Sequence, residues 1–280
     1  MTGTYWIGHA LLNSNDRIGP EIYEMELVAP EISSRAKPGQ FVMASLSEEA
    51  DPYLRRPFSI AGADRGRGVV KLIYQAAGKG TAQMSRWAPG RQVGLMGPLG
   101  NGFSWREEAS GSALAGGAIL IGGGIGAAPL LPLAKSLREQ NISVSVFIGV
   151  KTIGQAIGLR DFHAWGCRVR LATEDGSGGM TGLVTLPLEQ HLKASAHSPG
   201  ADTPAPRLFA CGPAPLLRAV AALGRAYALE AQLSMEERMG CGFGVCMGCS
   251  IKTMAGSGGF IQKRVCHDGP VFDARVVFYG

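Results

Sequence analysis

The chain has 280 residues, 46% of them apolar, and a formal net charge of +5. That length suits two domains and a small appendage, and that apolar share excludes a disordered chain. The densest basic spots are Arg55-Arg56 and Arg65-Gly66-Arg67, and no recognition motif accompanies them, so nucleic acid is not an expected partner.

Short apolar or alternating runs fill the first hundred residues. They are Ile22 to Val28, Phe41 to Leu46, Val69 to Tyr74 and Val93 to Met96. Pro38-Gly39, Ala88-Pro89-Gly90 and Gly97-Pro98-Leu99-Gly100 mark turns between them. Strands at this spacing predict a small antiparallel barrel or sandwich over 1–105. Arg56-Pro57-Phe58-Ser59-Ile60 falls where one strand should begin. An arginine can clamp a phosphate, an aromatic ring can pack on a flat heterocycle, and a serine can bond its polar edge. A surface arginine before a proline-started strand is the plainer reading. Gly78-Lys79-Gly80-Thr81 follows, with a helix expected over 82–87 whose start favours anions. Together these suggest a bound nucleotide with an aromatic ring system, such as a flavin.

The pattern changes near residue 112. Strands are expected at Ala118 to Ile121, Val144 to Val150, Val169 to Ala172 and Leu208 to Ala210. Helices are expected over Pro129 to Gln140 and Pro215 to Leu229. This alternation predicts a doubly wound α/β domain over 112–230. Residues 110–134 carry no charge and exceed a membrane span in length, but Gly122-Gly123-Gly124-Ile125-Gly126 breaks them into strand, loop and helix. That turn lets a dinucleotide's phosphates approach a helix N-terminus. Cys211-Gly212-Pro213 ends a later strand and faces the same crevice, or is simply a tight turn. Thr173-Glu174-Asp175 offers carboxylates for a ribose or against a 2′-phosphate. Residues 194–206 are rich in Ser, Pro and Ala and read as a surface loop.

The third unit, 231–280, carries the most specific signal. Cys241, Cys246 and Cys249 have the Cys-x4-Cys-x2-Cys spacing of a plant-type [2Fe–2S] site, with Cys266 as the fourth ligand. Gly240, Gly242 and Gly244 let a short chain wrap tightly round the sulfurs. A zinc knuckle is the alternative, although zinc sites usually use two separated cysteine pairs. Met1-Thr2-Gly3-Thr4-Tyr5-Trp6 lacks the basic start and apolar run of a secretory leader. A soluble cytoplasmic protein without a membrane partner or disulfides is therefore expected. Cys167 reads as a small apolar residue near a strand. No acid/base pair stands out, so no catalytic residue is assigned. Glu236 and Glu237 either lie near the flavin or belong to a charged helix end or loop, the plainer reading.

These pieces together resemble the ferredoxin–NADP reductase-like flavoenzymes, over nearly the whole chain. The narrower resemblance is to the electron-transfer subunits of NAD-linked dihydroorotate dehydrogenase. It rests on Arg55-Arg56-Pro57-Phe58-Ser59-Ile60, Gly80-Thr81, 173–177, Cys211-Gly212-Pro213 and 236–249. The resemblance implies a β-barrel FAD domain, a doubly wound nicotinamide-binding α/β domain and a C-terminal [2Fe–2S] segment. It implies FAD contacts at Arg56, Pro57, Phe58, Ser59, Ile73, Tyr74, Gln75, Gly80 and Thr81. A tyrosine is usual in the wider superfamily where Phe58 stands. NAD, as co-substrate, is expected at Gly122, Gly123, Gly124, Gly126, Glu174, Asp175, Cys211, Gly212 and Pro213. Cys241, Cys246, Cys249 and Cys266 are the expected cluster ligands.

The partner implied is an FMN-containing dihydroorotate dehydrogenase catalytic subunit, two copies of each chain assembling together. Electrons would pass from dihydroorotate through FMN, the cluster and FAD to NAD⁺, in pyrimidine biosynthesis. Two other functions stay open: a related FAD/[2Fe–2S] NAD(P)H reductase subunit serving ferredoxin or a sulfide-linked partner, and a non-catalytic zinc-stapled binding module.

Overall fold

The computed structural model describes residues 5–46, 53–105, 114–196, 204–256 and 258–278. Expectations for 110–113, 197–203 and Ser257 lie outside the described residues. Six strands close a barrel: β1 (Trp6–Gly19), β2 (Ile22–Val28), β3 (Phe41–Ala44), β4 (Arg56–Asp64), β5 (Val69–Gln75) and β6 (Gln92–Leu99). Their order is β1-β2-β5-β4-β3-β6, and every neighbouring pair is antiparallel. Alternate residues point inward, as the pleat requires. Leu12, Met25, Leu27, Leu72 and Leu95 are among the side chains that fill the interior. Two short helices, α1 (Pro30–Ser33) and α2 (Lys79–Met84), sit on loops. α2 begins three residues before the expected 82 and ends at Met84, because the Thr81 hydroxyl accepts the Ala77 and Gly78 N–H groups and fixes the first turn at Gly78.

The second half alternates as expected: β7 (Ala118–Gly123), α3 (Leu130–Glu139), β8 (Val144–Val150), α4 (Leu159–Ala164), β9 (Arg168–Thr173), β10 (Met180–Thr181), α5 (Thr185–Ala196), β11 (Arg207–Cys211), α6 (Ala214–Ala226) and β12 (Ala231–Ser234). α3 buries Leu130, Leu133, Ala134 and Leu137, one stripe at helical spacing. Each leucine there contributes about 1.5–3 kcal/mol by leaving water.

The C-terminal segment adds β13 (Ser250–Met254), β14 (Phe260–Arg264), β15 (Val271–Asp273) and α7 (Ala274–Val277). β13 and β14 form a hairpin of their own, whereas β15 pairs antiparallel with β12. The large sheet therefore runs β10-β9-β8-β7-β11-β12-β15, parallel except at β15, and crosses the boundary expected at 230/231. Cys249, Val265 and Cys266 are buried in one core cluster with Met43 and Met96 of the barrel and Leu208 and Leu233 of the sheet. The barrel's exit segment is pinned to β12 too. Ser104 N–H donates to Gln232 Oε1 at 2.9 Å, and Gln232 Nε2 donates back to the Ser104 carbonyl. Among the described residues, no helix is long and apolar enough to cross a membrane.

Candidate functional site

Two clefts meet at one residue. The first encloses about 790 Å³ and is lined by Arg56, Pro57 and Ser59 at the start of β4, by Phe41, and by 234–239. The second encloses about 530 Å³ over the carboxyl ends of the parallel strands. Gly123, Gly124 and Gly126 line it after β7, Lys151 after β8, Glu174 after β9, and Gly212 and Pro213 after β11. Glu236, two residues past the end of β12, lines both.

Close packing explains the glycines of the second cleft. A Cβ on Gly126 would lie 2.4 Å from the Cys211 carbonyl oxygen, so the β7 turn crosses the β11 end as backbone on backbone. Gly124 holds a φ of +55° and opens a 3-10 turn, Gly124–Ala127, that leads into α3. This strand–turn–helix arrangement is suited to phosphate. Gly122 lies behind these residues and does not line the cleft, and neither does Cys211, which is 2% exposed. Burial, then the Glu236 carboxylate, push the Cys211 thiol up to about 12, against a hydrogen bond with Ser234. Glu236 itself is exposed at the cleft mouth, and partial desolvation by the cleft walls raises it above the ordinary carboxylate range. Cys211, the buried Ser234 and Glu236 thus meet where the clefts join.

The other expected residues separate. Asp175 does not line the cleft, and its Oδ1 accepts the Ser177 N–H at 2.9 Å and hydroxyl at 2.6 Å. Gln75 lines the second cleft, at the end of β5. Phe58 and Tyr74 turn into the barrel core and meet edge to face at 5.9 Å. The Tyr74 hydroxyl donates to Asn15 Oδ1 at 2.9 Å, and burial pushes its pKa up beyond the usual tyrosine range. Ile73 is buried in the core beside α3. Gly80 and Thr81, in the first turn of α2, line neither cleft. The Arg56 guanidinium donates to the Leu54 carbonyl at 2.7 Å. Sequence reasoning missed Ser234, Met235 and Lys151 as lining residues and left Glu236 open between a place near the flavin and a charged loop or helix end.

The cysteine segment continues directly from the first cleft wall, since Cys241 follows Met239 by two residues. Its loop turns left-handed at Gly242 (φ +82°), Gly244 (φ +92°) and Met247 (φ +59°). Side chains at the two glycines would strike Met43 and His267. The wrap aims backbone N–H groups at sulfur. Val245 and Cys246 donate to Cys241 Sγ at 3.3 and 3.5 Å, Gly248 to Cys246 Sγ at 3.5 Å, and Cys266 to Cys249 Sγ at 3.4 Å. Burial opposes the Cys241 thiolate, but backbone N–H groups of Cys246, Phe243 and Val245 bring its pKa down to about 6. Burial and the neighbouring Cys249 push Cys266 up to about 12.

None of the four cysteines is in a disulfide. Among the described residues, no three His, Cys, Asp or Glu side chains are disposed to hold a single metal ion. N–H···S hydrogen bonds link the cysteines instead, Cys246 to Cys241 and Cys266 to Cys249. Four cysteines linked this way, with backbone N–H groups aimed at sulfur, fit a two-iron cluster.

Residues 236–278 match the family model described as the iron–sulfur cluster binding domain of dihydroorotate dehydrogenase B. The chain is 40% identical to the dihydroorotate dehydrogenase B (NAD(+)) electron transfer subunit of Bacillus caldolyticus, over 93% of this chain and 94% of that one. It belongs to that family. The Desulforamulus reducens member is 36% identical over 94% of both chains. Among solved structures, the NADH-dependent reduced ferredoxin-NADP oxidoreductase superposes with a TM-score of 0.79 at 25% identity, covering 99% of this chain and 92% of that one. The Neisseria gonorrhoeae ferredoxin NADP+ reductase shares the fold, with a TM-score of 0.61 at 16% identity over 76% of this chain and 88% of that one. The family match is to an iron–sulfur domain, which leaves the zinc staple without support.

Proposed function

We propose that this chain is the electron-transfer subunit of a NAD-linked dihydroorotate dehydrogenase, serving an FMN-containing catalytic subunit and binding FAD and a [2Fe–2S] cluster. One observation carries this reading beyond the family name. The stretch 234–239 walls the first cleft, shares Glu236 with the second, and runs into the cysteine loop. A flavin exchanges electron pairs with a nicotinamide and single electrons with an iron–sulfur centre, so it belongs between the two.

Each part of the chain then has a task. Arg56, Pro57 and Ser59 hold the flavin in the first cleft, with Ser59 on its polar edge. Gly123, Gly124 and Gly126 receive the dinucleotide phosphates at the α3 entrance. Gly212 and Pro213 shape the crevice next to Glu236, where the nicotinamide end must lie to face the flavin cleft. The adenosine end then falls at Lys151 and Glu174. Ser234 and Cys211, both buried, keep water from the floor of the junction beneath the exposed Glu236. Cys241, Cys246, Cys249 and Cys266 ligate the cluster. Phe243, Val245 and Met247 are exposed round the loop and offer the catalytic subunit an apolar face.

The test is dihydroorotate-dependent NAD⁺ reduction, with cofactor-loaded chain mixed anaerobically with the FMN-type catalytic subunit. Turnover that needs both chains is expected, from an assembly of two of each by light scattering. No turnover with intact flavin and cluster spectra would sink the assignment. A ferredoxin-linked reductase subunit is the second reading, drawing on the likeness to the NADH-dependent ferredoxin-NADP oxidoreductase. Replacing the catalytic subunit by ferredoxin in the same assay separates the two.

A further inference from the structure

The four cysteines come from two separate pieces of chain, the loop 241–249 and the turn after β14 that carries Cys266. Something must fix their spacing. One side chain reaches both. Arg264 Nη1 donates to the Gly244 carbonyl at 2.8 Å, inside the three-cysteine loop. Its Nε donates to Asp268 Oδ2 at 3.1 Å, on the far side of Cys266. The same residue organises the turn through its backbone. Its N–H donates to Asp268 Oδ2 at 2.7 Å, and its carbonyl accepts from His267 at 3.1 Å and Asp268 at 2.7 Å. Asn101, just past β6, anchors the turn from the barrel side, with Nδ2 on the His267 carbonyl at 3.0 Å.

The brace is also a charge pair. Arg264 and Asp268 side chains are 30% and 19% exposed, so solvent screens them only in part. The guanidinium lies two residues before Cys266 and reaches the Gly244 carbonyl at 2.8 Å, which sets its charge beside Cys249 and Cys266, the more buried cysteines of the four. A cation at that range favours an added electron, and an anion opposes it.

We propose that Arg264 is a positioning residue for the iron–sulfur centre, clamping the fourth-ligand turn onto the three-ligand loop, and that the Arg264–Asp268 pair tunes the reduction potential of that centre. The proposal rests on the reading of the four cysteines as ligands. A lysine keeps the charge but cannot bond Gly244 and Asp268 together as the planar fork does.

The experiment uses the full chain with its flavin and cluster, as wild type, Arg264→Lys, Arg264→Gln and Asp268→Asn. An anaerobic redox titration followed by electron paramagnetic resonance gives the cluster midpoint, and cluster bleaching by a chelator gives its hold. Arg264→Gln should disfavour the reduced cluster about tenfold, about 59 mV for one electron, and bleach several-fold faster. Asp268→Asn should move the midpoint the opposite way while also bleaching faster. Arg264→Lys should bleach faster with its midpoint near wild type. A purely structural brace would move both charge variants in the same direction, so opposite signs support the pair as tuner. Should Arg264→Gln fail to assemble, Asp268→Asn and Arg264→Lys carry the same contrast. Midpoints and bleaching rates unmoved in the variants, with a normal wild-type spectrum, overturn this proposal alone. A wild type reconstituted with iron and sulfide that shows no cluster spectrum overturns the ligand reading, and this proposal with it.

Discussion

The cysteine loop and the glycine-lined second cleft solve a similar problem from opposite directions. Both bring backbone close to a ligand, and both need glycine to do it. The loop draws three of its four sulfurs from nine consecutive residues, 241–249. The cleft is assembled from the ends of β7, β8, β9 and β11, of which the first and last, Gly123 and Cys211, are 88 residues apart. A site made of one segment stands or falls with single side chains. A site made of strand ends depends on the sheet that aligns them.

The sharpest break in that comparison comes at the loop. Cys249 is 1% exposed and its Sγ accepts the Cys266 N–H. Cys249→Ser should remove the cluster and abolish electron exchange with the catalytic subunit, while FAD and NADH–dye activity persist. Undiminished coupling in a verified cluster-free variant would refute the layout. The corresponding break in the cleft is Gly126→Ala. Its methyl would meet the Cys211 carbonyl at 2.4 Å, and backbone yields less easily than a flexible side chain. A loss of about 1–3 kcal/mol in urea unfolding is expected, with a sharp rise in KM for NADH and the cluster spectrum intact. An unchanged KM would mean that the turn does not hold the phosphates.

The same contrast decides what could be read in advance. An iron–sulfur segment was legible because three of its four cysteines have a local spacing, and the family model over 236–278 agrees. Strands β2 and β8 were legible from residue patterns alone, and both fall at their expected limits. β12 and β15 were not, because four and three residues carry no periodicity, and only pairing with β11 and with each other makes them strands. β1 escaped for another reason. Asn13, Asn15 and Asp16 break its alternation, and register shifts fall within it. Missing β12 left the place of Glu236 undecided. Two residues past an unexpected strand, it sits at the junction of two clefts, where the sequence could not choose between a flavin-side carboxylate and a charged loop beside Glu237. Phe58 and Tyr74 illustrate the converse. Their aromatic character matched a flavin site, but the pleat turns them into the barrel core.

A smaller effect sharpens the cleft's polarity. If the nicotinamide end lies at Glu236, the adenosine end meets Lys151 and Glu174. β8 and β9 run in parallel register there, Val150 opposite Thr173, and the Glu174 N–H donates to the Val150 carbonyl at 3.1 Å. Lys151 alone would welcome a 2′-phosphate, and the Glu174 carboxylate opposes one. Glu174→Gln should raise kcat/KM for NADPH relative to NADH several-fold, and adding Lys151→Ala should cancel the gain. An unchanged NADPH/NADH ratio would move the adenosine end elsewhere.

The smallest expected effect lies where the two regions join. Glu236 is exposed, but partial desolvation by the cleft walls raises its carboxyl, so folding favours its protonated form. The sign follows by linkage. A carboxyl with a raised folded pKa contributes its full stability below the unfolded carboxylate pKa. That contribution is lost as pH rises through the folded value. Glu236→Gln has no proton to lose. Its Tm should therefore gain on wild type as pH rises through the raised value, with the gap constant at lower pH, in the full chain without nicotinamide. A gap that stays flat across the whole range would mean that Glu236 is solvated in the free protein. Ser234 and Cys211 would then meet water at the junction, and the buried seam between the two clefts would have to form only when the nicotinamide arrives.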